Sequence, residues 1–362
     1  MSHSMRYVPH ALDYEPRAVS FGKDFHLRAT VPVHLQTGQS RLLIRGAGVV
    51  FYNGDEGMVE ISSQPPKMWR RLDLHLAGYG PGYGSDPVLV DHEGVVYRWP
   101  SGSEPISVFS TGIQGNCVSA WGLPEGRLLL LREEKGAWST QIVEAETSRP
   151  LWSLPEAFPM LLPFEDCLIV RPRMTVSSVV CLDVESGQVR WRHESEHRLG
   201  DIIAVVDRHV WLNTQESGLI SLLVDDGVVQ DEIALKNNRN PQGVLDTQGY
   251  LHICNGLNYQ IIDINDGTSK LISYVEFENL PEAPTTARGM SSVFLSDGRL
   301  LFHDDHGKVF VVHPENGEHP HCIWDKSRVF NLGIAEDQLV LLDWDGKITI
   351  LGSAHETGSV GM

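Results

Sequence analysis

Basic residues are scarce in this sequence. It has 29 lysines and arginines against 47 aspartates and glutamates in 362 residues, which gives a formal net charge of −18. Nucleic acids and anionic membrane surfaces are bound mainly through lysine and arginine contacts to phosphate. The composition therefore argues against both kinds of partner, whereas a basic protein partner is compatible with it.

Long hydrophobic runs and paired cysteines are missing as well. No stretch approaches the roughly eighteen apolar residues of a membrane span, and the N-terminal residues have no apolar core of a signal peptide. Cys117, Cys167, Cys181, Cys254 and Cys322 are far apart and form no Cys-x-x-Cys pair. We therefore expect reduced, buried thiols in a cytoplasmic protein.

Short strand-forming segments separated by turn residues make up most of the sequence. Apolar or alternating runs are followed by glycine, aspartate, asparagine and proline, and no segment keeps a helical period over three turns. Residues 298–317 are the clearest example, with tight turns at Gly307 and Gly317. Glycine supplies the positive φ that hairpin turns need. We predict an all-β protein.

One segment, residues 178–191, recurs in weaker form about every forty residues. Its most complete copies place three residues four apart: Asp183, Gly187 and Trp191, and before them Glu144, Ser148 and Trp152. Later copies keep the first two places: Leu223 and Gly227, Asp263 and Gly267, His313 and Gly317. The repeat indicates an array of small antiparallel sheets that must stack, since one sheet alone cannot bury both faces.

The segment resembles the tryptophan-docking repeat of the quinoprotein-type (PQQ-like) β-propellers, Ala-x-Asp-x-x-x-Gly-x-x-x-Trp, with Cys181 in the alanine place. The resemblance implies that Asp183 caps a turn, that Gly187 adopts a left-handed conformation, and that Trp191 and Trp152 pack between blades. It does not extend to the cofactor site of the quinone dehydrogenases, because this chain lacks their adjacent cysteines. We expect no cofactor. WD-repeat propellers are a poorer match, since Trp344-Asp345 falls in a hairpin turn.

The repeat predicts a single closed β-propeller of four-stranded antiparallel blades. The frame fits eight times, and seven blades is the alternative if the weak first or fourth unit is misread. The apolar segment 25–35 precedes the first unit, and we predict that it supplies the outer strand of the last blade and closes the ring. Residues 1–16 are expected to be a loose leader, 17–354 the propeller and 355–362 a flexible tail.

No catalytic, cofactor or metal site is predicted. His303 and His306 flank a β-turn together with two aspartates, and solvated turn residues are the simpler interpretation. Candidate partner-binding residues lie instead in two long loops and one turn that share one rim of the propeller: Tyr79, Tyr83, Glu276, Glu278, Glu282, Asp304 and Asp305. Aromatic side chains suit interfaces, and insertions in repeat folds often fall on the binding face.

These observations lead to a non-enzymatic protein that docks a protein partner on its acidic loop face. A sharper version is an inhibitor or immunity-type protein that neutralises a basic toxin. The alternative is a hydrolase or lyase with its active site in the central channel, which a ring of carboxylates and histidines would reveal. A third possibility is an assembly scaffold resembling the envelope propellers. The oligomeric state stays open.

Overall fold

The computed structural model describes most of residues 25–353, and for residues 25–80 and a few others it describes the backbone alone. The gaps are residues 33–40, 46–47, 54–56, 64–65, 73–75, 81–87, 100–103, 111–116, 148, 157, 159, 173–174, 215–217, 236–242, 246–248, 255–257, 277–283, 286–292, 295–298, 314–318, 336–337 and 346. The predicted leader and tail lie outside the described residues.

The described residues form four-stranded antiparallel sheets, which we number in chain order. Sheet 1 contains β2 (Arg41–Arg45), β3 (Gly48–Asn53), β4 (Gly57–Ser63) and β5 (Pro66–Leu72). Sheet 2 contains β6 (Leu76–Gly80), β7 (Val88–Asp91), β8 (Val95–Arg98) and β9 (Ile106–Ser110). Sheet 3 contains β10 (Cys117–Leu123), β11 (Arg127–Glu134), β12 (Ala137–Glu144) and β13 (Arg149–Leu154). Sheet 4 contains β14 (Met160–Phe164), β15 (Cys167–Arg171), β16 (Ser178–Asp183) and β17 (Val189–Glu194).

The remaining sheets follow the same order of strands. Sheet 5 contains β18 (Leu199–Val206), β19 (His209–Thr214), β20 (Gly218–Leu223) and β21 (Val229–Ala234). Sheet 6 contains β22 (Gly243–Leu245), β23 (Tyr250–Cys254), β24 (Asn258–Asp263) and β25 (Lys270–Glu276). Sheet 7 contains β26 (Val293–Phe294), β27 (Leu300–His303), β28 (Val309–Val312) and β29 (His321–Trp324). Sheet 8 contains β30 (Val329–Ala335), β31 (Gln338–Asp343), β32 (Lys347–Ser353) and the N-terminal β1 (Phe25–Pro32).

The N-terminal strand completes the last sheet. β1 pairs antiparallel with β32, from Phe25 opposite Ser353 to Pro32 opposite Lys347. This is the pairing that the sequence predicted for the apolar segment before the first repeat. Sheet 1 also lies beside sheet 8, where β2 is next to β30 and β5 is next to β1.

The sheets belong to two compact units. The first contains sheets 2 to 5 together with the turn at Ile264–Ser269, and the second contains sheets 1, 7 and 8 and the strands of sheet 6. Among the described residues the only helical segments are two 3-10 turns, Pro124–Gly126 and Asn265–Gly267. In this part of the chain no helix has the length and apolar character needed to cross a membrane.

Burial explains the strand order within each sheet. The second and third strands are almost wholly buried, as in β15 and β20, because neighbouring sheets pack on both faces. The fourth strands are half exposed, and in β17 only Trp191 is fully buried. The cores of sheets 3 and 4 and of sheets 4 and 5 are continuous apolar clusters.

A β-bulge interrupts the pairing of the third and fourth strands in every sheet described. One extra residue lies between two consecutive pairs with the third strand; in sheet 4 it is Arg190, between Val189 opposite Leu182 and Trp191 opposite Cys181. The corresponding extra residues in the other sheets are Trp69, Val108, Leu151, Gln230, Ile272, Ile323 and Arg28. The presence of Arg28 in this set shows that β1 is equivalent to the other fourth strands.

Candidate functional site

Each sheet has two ends that differ in their turns. Because consecutive strands are antiparallel, the first–second and third–fourth turns lie at one end, which we call the paired-turn end. The second–third turn and the connection to the next sheet lie at the other, which we call the middle-turn end. Functional side chains predicted from the sequence are distributed over both ends.

Asp183 organises the third–fourth turn of sheet 4. Its Oδ1 accepts hydrogen bonds from the backbone N–H groups of Glu185 (3.1 Å) and Ser186 (2.8 Å) and from the Ser186 hydroxyl (2.8 Å). Gly187 has φ +68° and donates its N–H to the Asp183 carbonyl at 2.8 Å. An L-residue rarely adopts this backbone conformation, so the turn favours glycine. These are the roles that the repeat implied for both residues.

Each tryptophan of the repeat docks on the glycine of the following sheet. The Nε1–H of Trp152 donates to the Val184 carbonyl at 2.8 Å, and a Cβ placed on Gly187 would lie 2.7 Å from the Trp152 ring. Trp191 donates to the Val224 carbonyl at 2.6 Å, and a Cβ on Gly227 would lie 2.5 Å from its ring. Sheets 3, 4 and 5 are therefore tied together by indole rings seated on glycine turns.

The place of the tryptophan in sheet 5 is taken by Asp231. Its Oδ2 accepts hydrogen bonds from the backbone N–H of Ser269, at 2.6 Å, and from the Ser269 hydroxyl. The space beside Gly267, which has φ +73°, is filled by the His209 ring. A carboxylate and an imidazole thus replace one indole while the turn keeps its glycine.

Three arginines bridge pairs of carboxylates at the paired-turn end of sheets 3 to 5. Each lies between two acids: Arg127 between Glu125 and Glu185, Arg190 between Asp166 and Asp183, and Arg208 between Glu165 and Asp225. The Nη2 of Arg190 lies 2.7 Å from Asp166 and 2.6 Å from Asp183. Its hydrogen bonds lower the pKa of Asp183 to about 2 and also lower the pKa of Asp166. Each bridge keeps one excess negative charge.

The paired-turn end of these three sheets is strongly acidic. Its turns and the adjoining strand residues carry ten carboxylates: Glu125, Glu144, Glu146, Glu165, Asp166, Asp183, Glu185, Asp207, Asp225 and Asp226. They carry four basic groups: Arg127, Arg149, Arg190 and Arg208. Among the described residues, the turns and adjoining strand residues at the middle-turn end carry five carboxylates (Glu133, Glu134, Glu156, Glu194, Glu196) and four basic groups (Arg132, Lys135, Arg171, Arg198). The acidic end of sheets 3 to 5 is thus opposite to the one we expected.

Three acids expected on the acidic rim are buried turn residues. Asp91, Asp304 and Asp343 each begin a second–third turn, and their side chains are 9%, 1% and 5% exposed. Asp304 Oδ1 accepts the backbone N–H groups of His306 (3.1 Å) and Lys308 (2.9 Å), while its Oδ2 accepts that of Thr285 (3.2 Å). The interpretation of Asp304 as an exposed partner-binding residue is therefore wrong, because its carboxylate is buried and accepts three backbone hydrogen bonds within the protein.

The same geometry is repeated in the other two turns. Asp91 Oδ1 accepts the N–H groups of Glu93 (2.9 Å) and Val95 (2.8 Å), and its Oδ2 accepts the Tyr97 hydroxyl at 2.8 Å. Burial and this hydrogen bond raise the pKa of Tyr97 to about 12. Asp343 Oδ1 accepts the N–H groups of Asp345 (3.1 Å) and Lys347 (2.8 Å). An aspartate three residues before a glycine is the common sequence signal.

The histidines of the same turn in sheet 7 do not converge. His303 is 3% exposed, and its Nδ1 lies 2.9 Å from the Asp304 carbonyl, whereas His306 is exposed. The expectation of solvated turn residues is wrong for His303 and Asp304. Within the part of the chain that the structure describes, no group of three or more histidine, cysteine, aspartate or glutamate side chains is placed to hold a metal ion.

The other predicted partner-binding residues are only partly described. Glu276 is exposed and accepts a hydrogen bond from the Tyr274 hydroxyl at 3.1 Å. Asp305 is half-buried and accepts the Thr285 hydroxyl. Tyr79 lies in β6, where only the backbone is described. Tyr83, Glu278 and Glu282 lie outside the described residues.

Exposed valines at the paired-turn end were missed by the sequence analysis. Val189 and Val229 occupy equivalent places directly before the bulge, and their side chains are 53% and 41% exposed. Val228 is 52% exposed. The signal is an apolar residue two positions after the repeat glycine, as in Gly187-Gln-Val189 and Gly227-Val-Val229.

Solved structures similar to this chain cover nearly its whole length. BamB from Moraxella catarrhalis is 12% identical, with a TM-score of 0.60, and the match covers 91% of this chain and 99% of BamB. The C-terminal WD40 domain of Sif2 is 8% identical, with a TM-score of 0.65, and the match covers 92% of this chain and 99% of that domain. The computationally designed Ika8 protein is 14% identical, with a TM-score of 0.62 over 88% of this chain and 98% of its own.

By sequence, the chain matches no protein-family model and no curated protein. Identities as low as those to BamB and the WD40 domain carry information on the fold alone, and they do not choose between PQQ-like and WD repeats. Both structures are β-propellers. Together with the four-stranded antiparallel sheets, they show that this chain has a β-propeller fold.

Proposed function

We propose that this chain is a non-enzymatic protein-binding β-propeller. The observation that carries the proposal is the cross-tying of sheets 3, 4 and 5 by Trp152, Trp191 and the ion pairs of Arg127 with Glu185 and of Arg208 with Glu165. A scaffold held in this way presents its surface in a fixed arrangement, so binding a partner costs little reorganisation. Protein partners suit this kind of extended, rigid surface in repeat folds.

The proposal includes the architecture of the whole chain. We take the eight sheets as the blades of one closed ring of the PQQ-like repeat type, completed by β1 in the last blade. The pairing of β1 with β32 and the packing of sheet 1 beside sheet 8 support closure. The near-complete Asp183, Gly187, Trp191 repeat supports the PQQ-like type.

The partner that we propose is a basic protein. A net charge of −18 speeds the encounter with a positively charged molecule and disfavours polyanions. In its sharpest form, the chain is a cytoplasmic inhibitor or immunity-type protein that neutralises a basic toxin. The five cysteines are far apart in the sequence and odd in number, as expected for reduced thiols, and this supports a cytoplasmic location. At the middle-turn end, Glu276 and Asp305 are the described residues that remain candidates for contact.

The test is to isolate the tagged full chain from its native host and to identify by mass spectrometry what co-elutes in stoichiometric amount. We expect a basic protein whose retention falls as salt is raised. Two charge-reversed variants locate its site: Glu276→Lys with Asp305→Lys at the middle-turn end, and Glu146→Lys with Asp226→Lys at the paired-turn end. Asp304 is left intact because its buried carboxylate holds a turn. Absence of any stoichiometric protein would overturn the proposal.

A further inference from the structure

Apolar side chains are exposed at the same place in two packed sheets. Val189 of sheet 4 lies opposite Leu182, and Val229 of sheet 5 lies opposite Leu222, each directly before the bulge of the fourth strand. Their exposed fractions of 53% and 41%, and that of 52% for Val228, contrast with 7% for Trp191 two positions after Val189. The valines therefore take no part in the core that holds the two sheets together.

These valines lie at the same end of two sheets that pack together. The indole of Trp191 reaches from sheet 4 to the turn that contains Gly227, and Val228 and Val229 follow that glycine directly. Exposed apolar side chains scattered singly need no explanation. Here, however, Val189 and Val229 recur at equivalent positions of packed sheets, which favours a common role at the surface. Burial of such a group against a partner is favourable because apolar surface leaves water.

The charges around the valines determine what kind of partner fits. The paired-turn end of sheets 3 to 5 carries ten carboxylates and four guanidinium groups, and each arginine bridge leaves one negative charge in excess. A second copy of this chain, with a net charge of −18, is repelled, as is a nucleic acid. A segment that combines basic and apolar side chains is complementary to both properties of the surface.

We propose that the paired-turn end of sheets 4 and 5 is the docking surface for a basic protein segment, whose apolar side chains cover Val189, Val228 and Val229. This assignment rests on the protein-binding function proposed above and moves the site away from the loop face. The basic side chains of the segment lie against the excess carboxylates beside the valines. Asp207 and Asp226, both exposed in the turns of sheet 5 at this end, are two of these carboxylates.

The probe is a ten-residue synthetic peptide of alternating lysine and valine, titrated by calorimetry into the full chain. Two matched peptides replace every valine by serine or every lysine by glutamate. We expect the lysine–valine peptide to bind, the serine peptide to bind about tenfold more weakly because the apolar contact is lost, and the glutamate peptide not to bind. If the lysine–valine and serine peptides bind equally well, apolar contacts do not contribute to the affinity and the proposed role of the valines is wrong.

Variants of the chain test where the peptide binds. Val189→Ser combined with Val229→Ser should weaken binding of the lysine–valine peptide about tenfold. The control is Val176→Ser, because Val176 is 40% exposed at the middle-turn end of sheet 4; it should change the affinity less than about twofold. Asp207→Asn with Asp226→Asn should weaken binding and reduce its salt dependence. If Val176→Ser weakens peptide binding as much as Val189→Ser with Val229→Ser, the assignment of the docking surface is wrong. Thermal melting verifies that every variant is folded.

The failure of this surface is distinguishable from the failure of the proposed function. If a native protein partner is captured and binds the Val189→Ser, Val229→Ser variant as tightly as the unaltered chain, the docking surface is wrong and the protein-binding function stands. If the native host yields no partner, the function fails, and the peptide titration still decides whether this surface recognises basic, apolar segments.

Discussion

Trp191 occupies the space that any side chain at Gly227 would need. Its indole donates to the Val224 carbonyl at 2.6 Å, and its ring lies 2.5 Å from the position of a Cβ on Gly227. The two residues are 36 positions apart and belong to neighbouring sheets. The tight turn in one sheet and the large aromatic side chain in the other thus form one packing unit, and a side chain at Gly227 would displace the indole.

Replacement of Trp191 by alanine should lower the free energy of unfolding by roughly 3–5 kcal/mol, as for other large buried aromatics. The change empties the space between sheets 4 and 5 and leaves the Val224 carbonyl without its donor. Trp191→Phe keeps most of the ring and loses the hydrogen bond, so its effect should be smaller. Chemical denaturation measures both, and a midpoint unchanged in Trp191→Ala would show that the ring does not hold the sheets.

Glycine substitutions separate backbone strain from steric conflict. Gly227 and Gly126 have φ of +71° and +69°, but a Cβ on Gly126 would meet nothing within 4 Å. Gly126→Ala should therefore cost about 1–2 kcal/mol, the price of a left-handed L-residue. Gly227→Ala should cost at least about 2 kcal/mol more, because the Trp191 ring must also move. Equal losses in denaturation experiments would contradict the docking of Trp191.

Asp304 should be far more important for stability than its neighbours of the same charge. Its removal in Asp304→Ala leaves three backbone N–H groups without their acceptor, and we expect a loss of about 2–4 kcal/mol. The matched control is Asp345→Ala, because Asp345 is exposed and lies in the equivalent turn of sheet 8; it should change stability by less than about 0.5 kcal/mol. Thermal unfolding of the two variants provides the comparison.

The Arg190 bridge should make stability depend on pH below neutrality. Arg190 lowers the pKa of Asp183 to about 2 and that of Asp166 as well, so the carboxylates ionise more readily in the folded chain than in the unfolded chain. Their contribution is present above the unfolded pKa of about 4 and is lost as the pH falls towards about 2. The stability difference between the unaltered chain and Arg190→Met should therefore shrink over this range.

Arg149→Met is the control for this experiment, since the Nε of Arg149 lies 3.7 Å from Glu144 in an exposed, long ion pair. It should produce a small difference that changes little with pH. Relief of the overall charge repulsion at low pH affects all three proteins alike, so only the differences between melting temperatures are informative. A constant difference for Arg190→Met would mean that the bridge does not act through Asp183 and Asp166.

The sheets could be read from the sequence because their signals are local. Asp183, Gly187 and Trp191 could be assigned to a turn and a docking residue because their spacing resembles that of the PQQ-like repeat. The apolar segment at Phe25 had no repeat unit of its own. The register in which the third and fourth strands pair was harder to predict from the sequence. Trp69 lies in the fourth strand of sheet 1, but it is the extra residue of its bulge, so Arg70 has the place that Trp191 has in sheet 4. A shift of one residue leaves the composition of a strand unchanged.

The surface was harder to predict because the sequence shows an aspartate buried in a turn and an aspartate exposed to solvent as the same residue type. Asp304 and Asp305 are adjacent and identical, yet one is buried under three N–H donors and the other is half-exposed. Likewise, the sequence does not distinguish Val189 from a core residue, because its exposure follows from the position of the fourth strand at an edge of its sheet. Both distinctions depend on which backbone groups come close in three dimensions.

The bulge at Arg190 and its counterparts has a consequence for solubility. An edge strand presents backbone N–H and C=O groups that have no partner within the sheet, and a strand of another molecule can form hydrogen bonds with them. An extra residue twists that border and interrupts the regular ladder. The interruption is present in the fourth strand of every sheet described here, from Arg28 to Ile323. Each of these edges therefore carries a built-in obstacle to fibrous self-association.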